Sequence, residues 1–214
     1  MSYRFDPTAF DFDASVVRYR ADLLAVLAGL FALLGLGRDG SGTVPEVVSR
    51  SIWRRVWEGL RPLEAAVRRL VFVVVRGRAL PVVTPRAPSS ASRAEASSDP
   101  SPRGFALYDP RVSTKRRGKK RRRRAASPSH DDTVSAAALA ARLRAVLVVL
   151  CDPEARAVRM LSRMGRHRMG AVPMRPGRPP GYRKARRRVV HVLLDELSQV
   201  AAWAGMVPRS ASGA

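Results

Sequence analysis

Cysteine is nearly absent from this chain. Cys151 is the only one in 214 residues, so no disulfide can form within the chain. Three scattered His add none of the ligand spacings that a zinc site needs, and neither a metal nor a cofactor is expected. Acids are scarce as well: 17 Asp and Glu stand against 40 Lys and Arg, a formal net charge of +23. Within the basic set only four residues are Lys and 36 are Arg, asparagine is missing, and Ile52 is the single isoleucine. That bias fits a G+C-rich, bacterial coding context. Aromatics reach only 6%. The apolar residues are mostly Ala and Val, enough for two small helical cores and too little for one large enzyme core. No secretory leader is expected: the apolar run begins only at Leu23, close behind Arg18 and Arg20, with no clear small-residue cleavage pattern. The setting implied is reducing and cytoplasmic.

What is present divides by charge. Residues 1–78 carry a net +4, residues 79–133 a net +8 and residues 134–214 a net +11. Composition places an aromatic and acidic arm at 1–13, an apolar helical hairpin at 14–78, a linker at 79–133, a basic helical segment at 134–205 and a tail at 206–214. The linker holds seven Pro and nine Ser in 55 residues and cannot bury enough surface to offset its ordering entropy. The expected fold class is mainly α: two small helical segments joined by a disordered, basic, Pro/Ser-rich linker.

Caps and spacing set the expected helices. Asp13 or Ser15 can cap a first helix, which continues into the uncharged run from Leu23 to Gly37 and ends in the Gly-rich stretch 37–42. Thr43 before Val44-Pro45-Glu46 restarts a helix, and Ile52, Trp53, Val56, Trp57 and Leu60 recur at helical spacing. Pro62 marks a break. Leu63, Val67, Leu70, Val71 and Val74 form the next stripe, with Arg61, Arg68, Arg69 and Arg76 mostly off it. The β-branched stretch 71–75 is compatible with a strand too. Farther on, Asp131, Asp132 and Thr133 offer an acidic start for a helix with Leu139, Leu143, Val146, Leu147 and Leu150 at 3–4 spacing. Asp152-Pro153-Glu154 is a second start. A last helix at about 186–204 carries Val190, Leu193, Leu194, Leu197, Val200 and Ala201, with Gly205 as its cap.

Catalytic motifs are weak. Gly35-x-Gly37-x-x-Gly40 has the dinucleotide-binding spacing, but that fingerprint needs a strand before it and a helix opening at it. Here a long apolar run precedes it and Pro45 delays the next helix, so it reads as a helix-terminating loop. His130-Asp131-Asp132 reads as capping rather than a metal or acid–base cluster, and His191 with Asp195 as a helical i,i+4 pair. His167, between Arg166 and Arg168, reads as solvated. Beside Asp152, Cys151 is disfavoured as a thiolate and reads as a small buried hydrophobe. No triad assembles, so the expectation is a protein that is not an enzyme and takes no small-molecule substrate.

Two basic segments are the sharper feature. Lys115, Arg116, Arg117, Lys119, Lys120, Arg121, Arg122, Arg123 and Arg124 are nine cations in ten positions. They repel one another, cannot form a core, and can neutralise phosphates on nucleic acid or anionic lipid; the bland alternative is a solvated tether. Arg175-Pro176-Gly177-Arg178-Pro179-Pro180-Gly181-Tyr182-Arg183-Lys184 supplies Arg175, Arg178, Arg183 and Lys184. Its Gly177-Arg178-Pro179 resembles the core of an AT-hook, which implies a minor-groove contact, although Pro176 separates Arg175 from that core. A stiff polyproline-like connector is the alternative. More widely, residues 63–70, the Tyr108-Asp109-Pro110-Arg111 island and residues 175–184 resemble blocks that recur in small, basic bacterial proteins of unknown function. That resemblance implies no activity.

The uncharged run is the third feature. Fifteen residues extend about 22 Å as a helix, short of a roughly 30 Å hydrocarbon core. It can span with snorkelling Arg18 and Arg20, insert at the surface, or pack in a soluble hairpin. Leu27, Leu30 and Phe31 within it, with Trp53 and Trp57 beside Arg50, Arg54 and Arg55, suit a membrane interface. Two functions are compatible with these features. One is a non-enzymatic protein at the inner face of the membrane, docked through its N-terminal helices, with its basic segments on anionic lipid or an acidic partner. The other is a nucleic-acid-binding protein whose N-terminal helices form a dimerisation core, a homo-oligomer.

Overall fold

Asp11 begins the first helix. Its carboxylate accepts from the backbone N–H groups of Asp13 (2.9 Å) and Ala14 (3.0 Å), two donors that the first turn leaves unpaired. Helix α1 then covers Phe12–Leu33. The cap lies two to four residues before the expected Asp13 or Ser15, because the Asp11 side chain reaches the N2 and N3 positions. A computed structural model provides these coordinates and describes residues 11–77, 133–166 and 189–206. The expected linker lies, but for Thr133, outside them. At its other end α1 closes in a Schellman turn: Leu36 N–H donates to the Phe31 carbonyl and Gly35 N–H to that of Ala32, each at 3.0 Å. Gly35 sits at φ +74°, the left-handed conformation this turn requires. Gly40, at φ +75°, has a second constraint, since a Cβ there would lie 2.7 Å from the Phe31 ring.

After the glycine loop the chain is extended, not helical. Strand β1 (Val47–Ser49) pairs antiparallel with β2 (Thr133–Ser135), in the register Val47 to Ser135, Val48 to Val134 and Ser49 to Thr133. This corrects two expectations, a helix restarting at Thr43 and a helix opening at Thr133. Each segment finds a ladder partner distant in sequence, which local capping signals do not encode. So short a ribbon holds only by packing on other elements, and Val48 is buried in the core.

Helix α2 (Arg50–Gly77) is the centre of the fold and packs against every other helix described. Pro62 does not break it. The ring is buried, and the missing Pro N–H costs one intrahelical bond, which packing along the helix outweighs. Residues 71–75 are helical despite their β-branched run. All five are buried, and burial of a Val or Phe side chain stabilises by roughly 1.5–3 kcal/mol, against a few tenths for propensity. The largest departure from expectation concerns charge. Arg68 and Arg69 are buried, at 6% and 2% exposure, rather than off the core stripe, and Glu64 is buried with them at 7%.

Helices α3 (Ala137–Cys151), α4 (Pro153–Arg166) and α5 (Val189–Met206) complete the bundle. Leu139, Leu143, Val146 and Leu150 are buried as their spacing requires, and so are Val190, Leu193, Leu194, Leu197, Val200 and Ala201. Asp152 caps α4, accepting from Ala155 N–H at 2.9 Å. Cys151 is exposed, contrary to expectation, because it lies about 100° round the helix from buried Leu150. The fold is thus mainly α, with one two-stranded ribbon, and both helical segments contribute to a single core.

Arginine forks tie these elements together. Arg20 Nε and Nη2 donate to the carbonyls of Leu150 (2.7 Å) and Cys151 (2.9 Å), at the end of α3. Arg76 does the same for Ala204 (2.9 Å) and Gly205 (3.2 Å) in the last turn of α5. Arg144 holds the glycine loop through the carbonyls of Gly40 (3.1 Å) and Gly42 (3.3 Å). Helix C-termini present unpaired carbonyls and partial negative charge, so a planar cation with several donors satisfies both at once. In a chain short of acids, backbone carbonyls serve as counter-charges.

Candidate functional site

Residues 50, 53, 54, 57, 61, 64 and 68 fall on one stripe of α2 at 3–4 spacing. Over the first three turns this stripe meets solvent: Arg50, Arg54 and Arg61 are exposed, and Trp53 and Trp57 are half-buried against the core. Farther along, the same stripe passes into the interior as Glu64 and Arg68.

The two halves are joined by a stack. Arg142, from α3, makes a bidentate pair with Glu64: Nε to Oε1 at 3.0 Å, and Nη2 to Oε1 at 2.6 Å and Oε2 at 2.8 Å. Arg68 Nη2 lies 3.6 Å from the same Oε2. Held this way, the Arg142 guanidinium lies 4.4 Å from the Trp57 ring centroid, and that of Arg61 lies 5.1 Å from it. Trp53 stacks on Trp57 at 5.5 Å with 14° between planes. A buried carboxylate thus fixes a guanidinium, which packs on one indole, which packs on the next. Cation–π contact with Trp is worth about 0.5–2 kcal/mol, and the bidentate pair adds directional hold.

Of the residues singled out from sequence, Trp53 and Trp57 come together here. Leu27, Leu30 and Phe31 do not; they are buried at 1%, 7% and 0% exposure in the protein's own core. In this conformation they do not face a bilayer or a second copy. The run 115–124, Arg175, Arg178, Arg183, Lys184, the 130–132 cluster and His167 lie outside the described residues. His191 is buried and Asp195 exposed. The 35–40 glycine motif follows a helix and precedes an extended segment, and its Asp39 carboxylate accepts from Ser41 N–H at 2.9 Å. Hydrogen bonds from Ser41 hold that carboxyl below the usual range. Burial, and then the Glu196 carboxylate, push the Tyr19 hydroxyl upward. Among the described residues no three His, Cys, Asp or Glu stand together to hold a metal ion, and no helix is long and apolar enough to cross a membrane.

Sequence reasoning missed Arg61, Glu64, Arg68 and Arg142 as a unit. The spacing of 57, 61, 64 and 68 was a usable signal on α2. Arg142 carried none, because it arrives from another helix 78 residues away.

Fold and site define an arginine-clamped helical bundle with an aromatic–guanidinium face. No protein-family model, curated protein or solved structure matches this chain.

Proposed function

We propose that this chain is a non-enzymatic nucleic-acid-binding protein of the cytoplasm, in which the segments 115–124 and 175–184 engage phosphates. One observation favours this over membrane docking: Leu23, Leu27, Leu30, Phe31, Leu34 and Leu36 are all buried in the protein's own core. The apolar run that motivated a lipid partner is accounted for by α2 and α3, and a net charge of +23 is left to explain. A polyanion answers that charge, whereas the apolar run no longer calls for a lipid.

The test is a salt titration on duplex DNA, for the full chain and for a variant with residues 115–124 neutralised. With roughly six to nine phosphate contacts, affinity falls about 10³–10⁵-fold between about 50 and 200 mM salt, and the variant binds far more weakly. Absence of DNA binding near 0.15 M salt overturns the reading. The second reading, an anionic lipid surface at the inner face of the membrane, is favoured by the half-buried Trp53 and Trp57 beside exposed Arg54. Anionic vesicles bound more tightly than DNA at the same salt would replace the first reading with this one.

A further inference from the structure

We infer that the exposed stripe of α2 is a stacking site for the bases of single-stranded nucleic acid, with Trp53 as the platform; this rests on the nucleic-acid reading above. Three observations converge. The first is geometry: the Arg142 guanidinium lies over Trp57, Trp53 stacks on Trp57, and Trp53 is half-buried at the surface. A base on Trp53 extends a stack whose other members are in place. Bases stack on indole rings and guanidinium planes without regard to sequence, since every base has a π-face.

The second is charge. Residues 50–61 hold four Arg and one acid, Glu58. Arg54 and Arg61 are exposed on the same face as the indoles, where a phosphate chain beside a stacked base would run. The third is rigidity. Arg142 is tethered by two oxygens of a buried carboxylate, so the platform is held before any partner arrives and binding loses less side-chain entropy. Duplex DNA keeps its bases stacked on each other and cannot use such a platform. The stripe therefore selects single strands, while the basic segments, acting on phosphates, accept either form.

The experiment uses the full chain with Trp203→Phe, so that Trp53 and Trp57 are the only indoles. Three probes of equal charge are titrated near 0.15 M salt: a short oligothymidylate, an abasic deoxyribose-phosphate chain and duplex DNA. Oligothymidylate is expected to quench the indole emission to saturation, and the abasic chain is not. Trp53→Ala should weaken oligothymidylate about 5- to 150-fold and leave duplex affinity unchanged. Trp53→Phe, which keeps a ring, should recover most of the loss. Arg54→Glu, at an exposed position, gives the same direction without touching the packing and covers the case in which Trp53→Ala fails to fold. Equal quenching by the abasic chain, or unchanged oligothymidylate affinity in Trp53→Ala and Arg54→Glu, overturns the stacking site and leaves the nucleic-acid reading intact. Binding of no nucleic acid overturns both. A blue shift of the indoles on anionic vesicles, with no quenching by oligothymidylate, assigns the face to lipid instead.

Discussion

The two halves of α2 share one helix and one polar stripe, yet they live in different solvents. In residues 50–61 the stripe is Arg50, Arg54 and Arg61, exposed to water, with Trp57 half-buried between them. In residues 62–77 it is Glu64 and Arg68, buried under other helices. What changes is the cover. The sequence of the stripe looks alike in both halves, so charge pattern alone does not separate a solvated face from an interior one. A buried ion loses several kcal/mol of hydration, and the buried half meets that cost by sharing: Glu64 serves Arg68 and Arg142 together. The exposed half has no such need.

The contrast breaks most sharply at Glu64. Glu64→Ala removes the carboxylate both guanidiniums share and is expected to cost about 3–5 kcal/mol, read as a shift in urea midpoint. Replacing Glu64 and Arg68 together with Leu should cost less than Glu64→Ala alone, because Arg142 is 42% exposed at its side chain and can turn to water. Leu63→Ala, in the buried half, should cost about 2–5 kcal/mol through the cavity it leaves. At the helix end, Arg76→Ala should cost roughly 1.5–3 kcal/mol, the usual worth of hydrogen bonds to a charged group. Arg76→Lys should recover only part, since an ammonium lacks the fork that meets two carbonyls. Arg54→Ala, on the exposed half, should move thermal stability by no more than about 0.5 kcal/mol.

Much of the fold was legible in the residues. The 3–4 stripes of α3 and α5 and the Asp152-Pro153-Glu154 start of α4 specify local structure through local physics, and the structure follows them. The stop of α1 was also readable, as glycines after an apolar run. Three features were not. The β1–β2 ribbon depends on a partner distant in the chain. The continuity of α2 through Pro62 depends on packing that outweighs one lost hydrogen bond. The destination of the apolar run was ambiguous because a protein core and a lipid core are both apolar; Leu27 and Phe31 are suited to either. Of the site, Trp53 and Trp57 were visible as aromatics one turn apart, while Arg142 became part of it only through the tertiary fold.

The arginine forks also set a timetable. Arg76 and the Ala204 carbonyl it clamps are 128 residues apart. At about 5–20 residues per second of synthesis, roughly 6–26 seconds pass between them. Through that interval Leu70, Val71, Phe72, Val73, Val74 and Val75 have been made and the helix that covers them has not. A nascent chain of this protein therefore carries the fully buried half of its longest helix without the α5 cover for that interval, and those residues need another shield until α5 emerges.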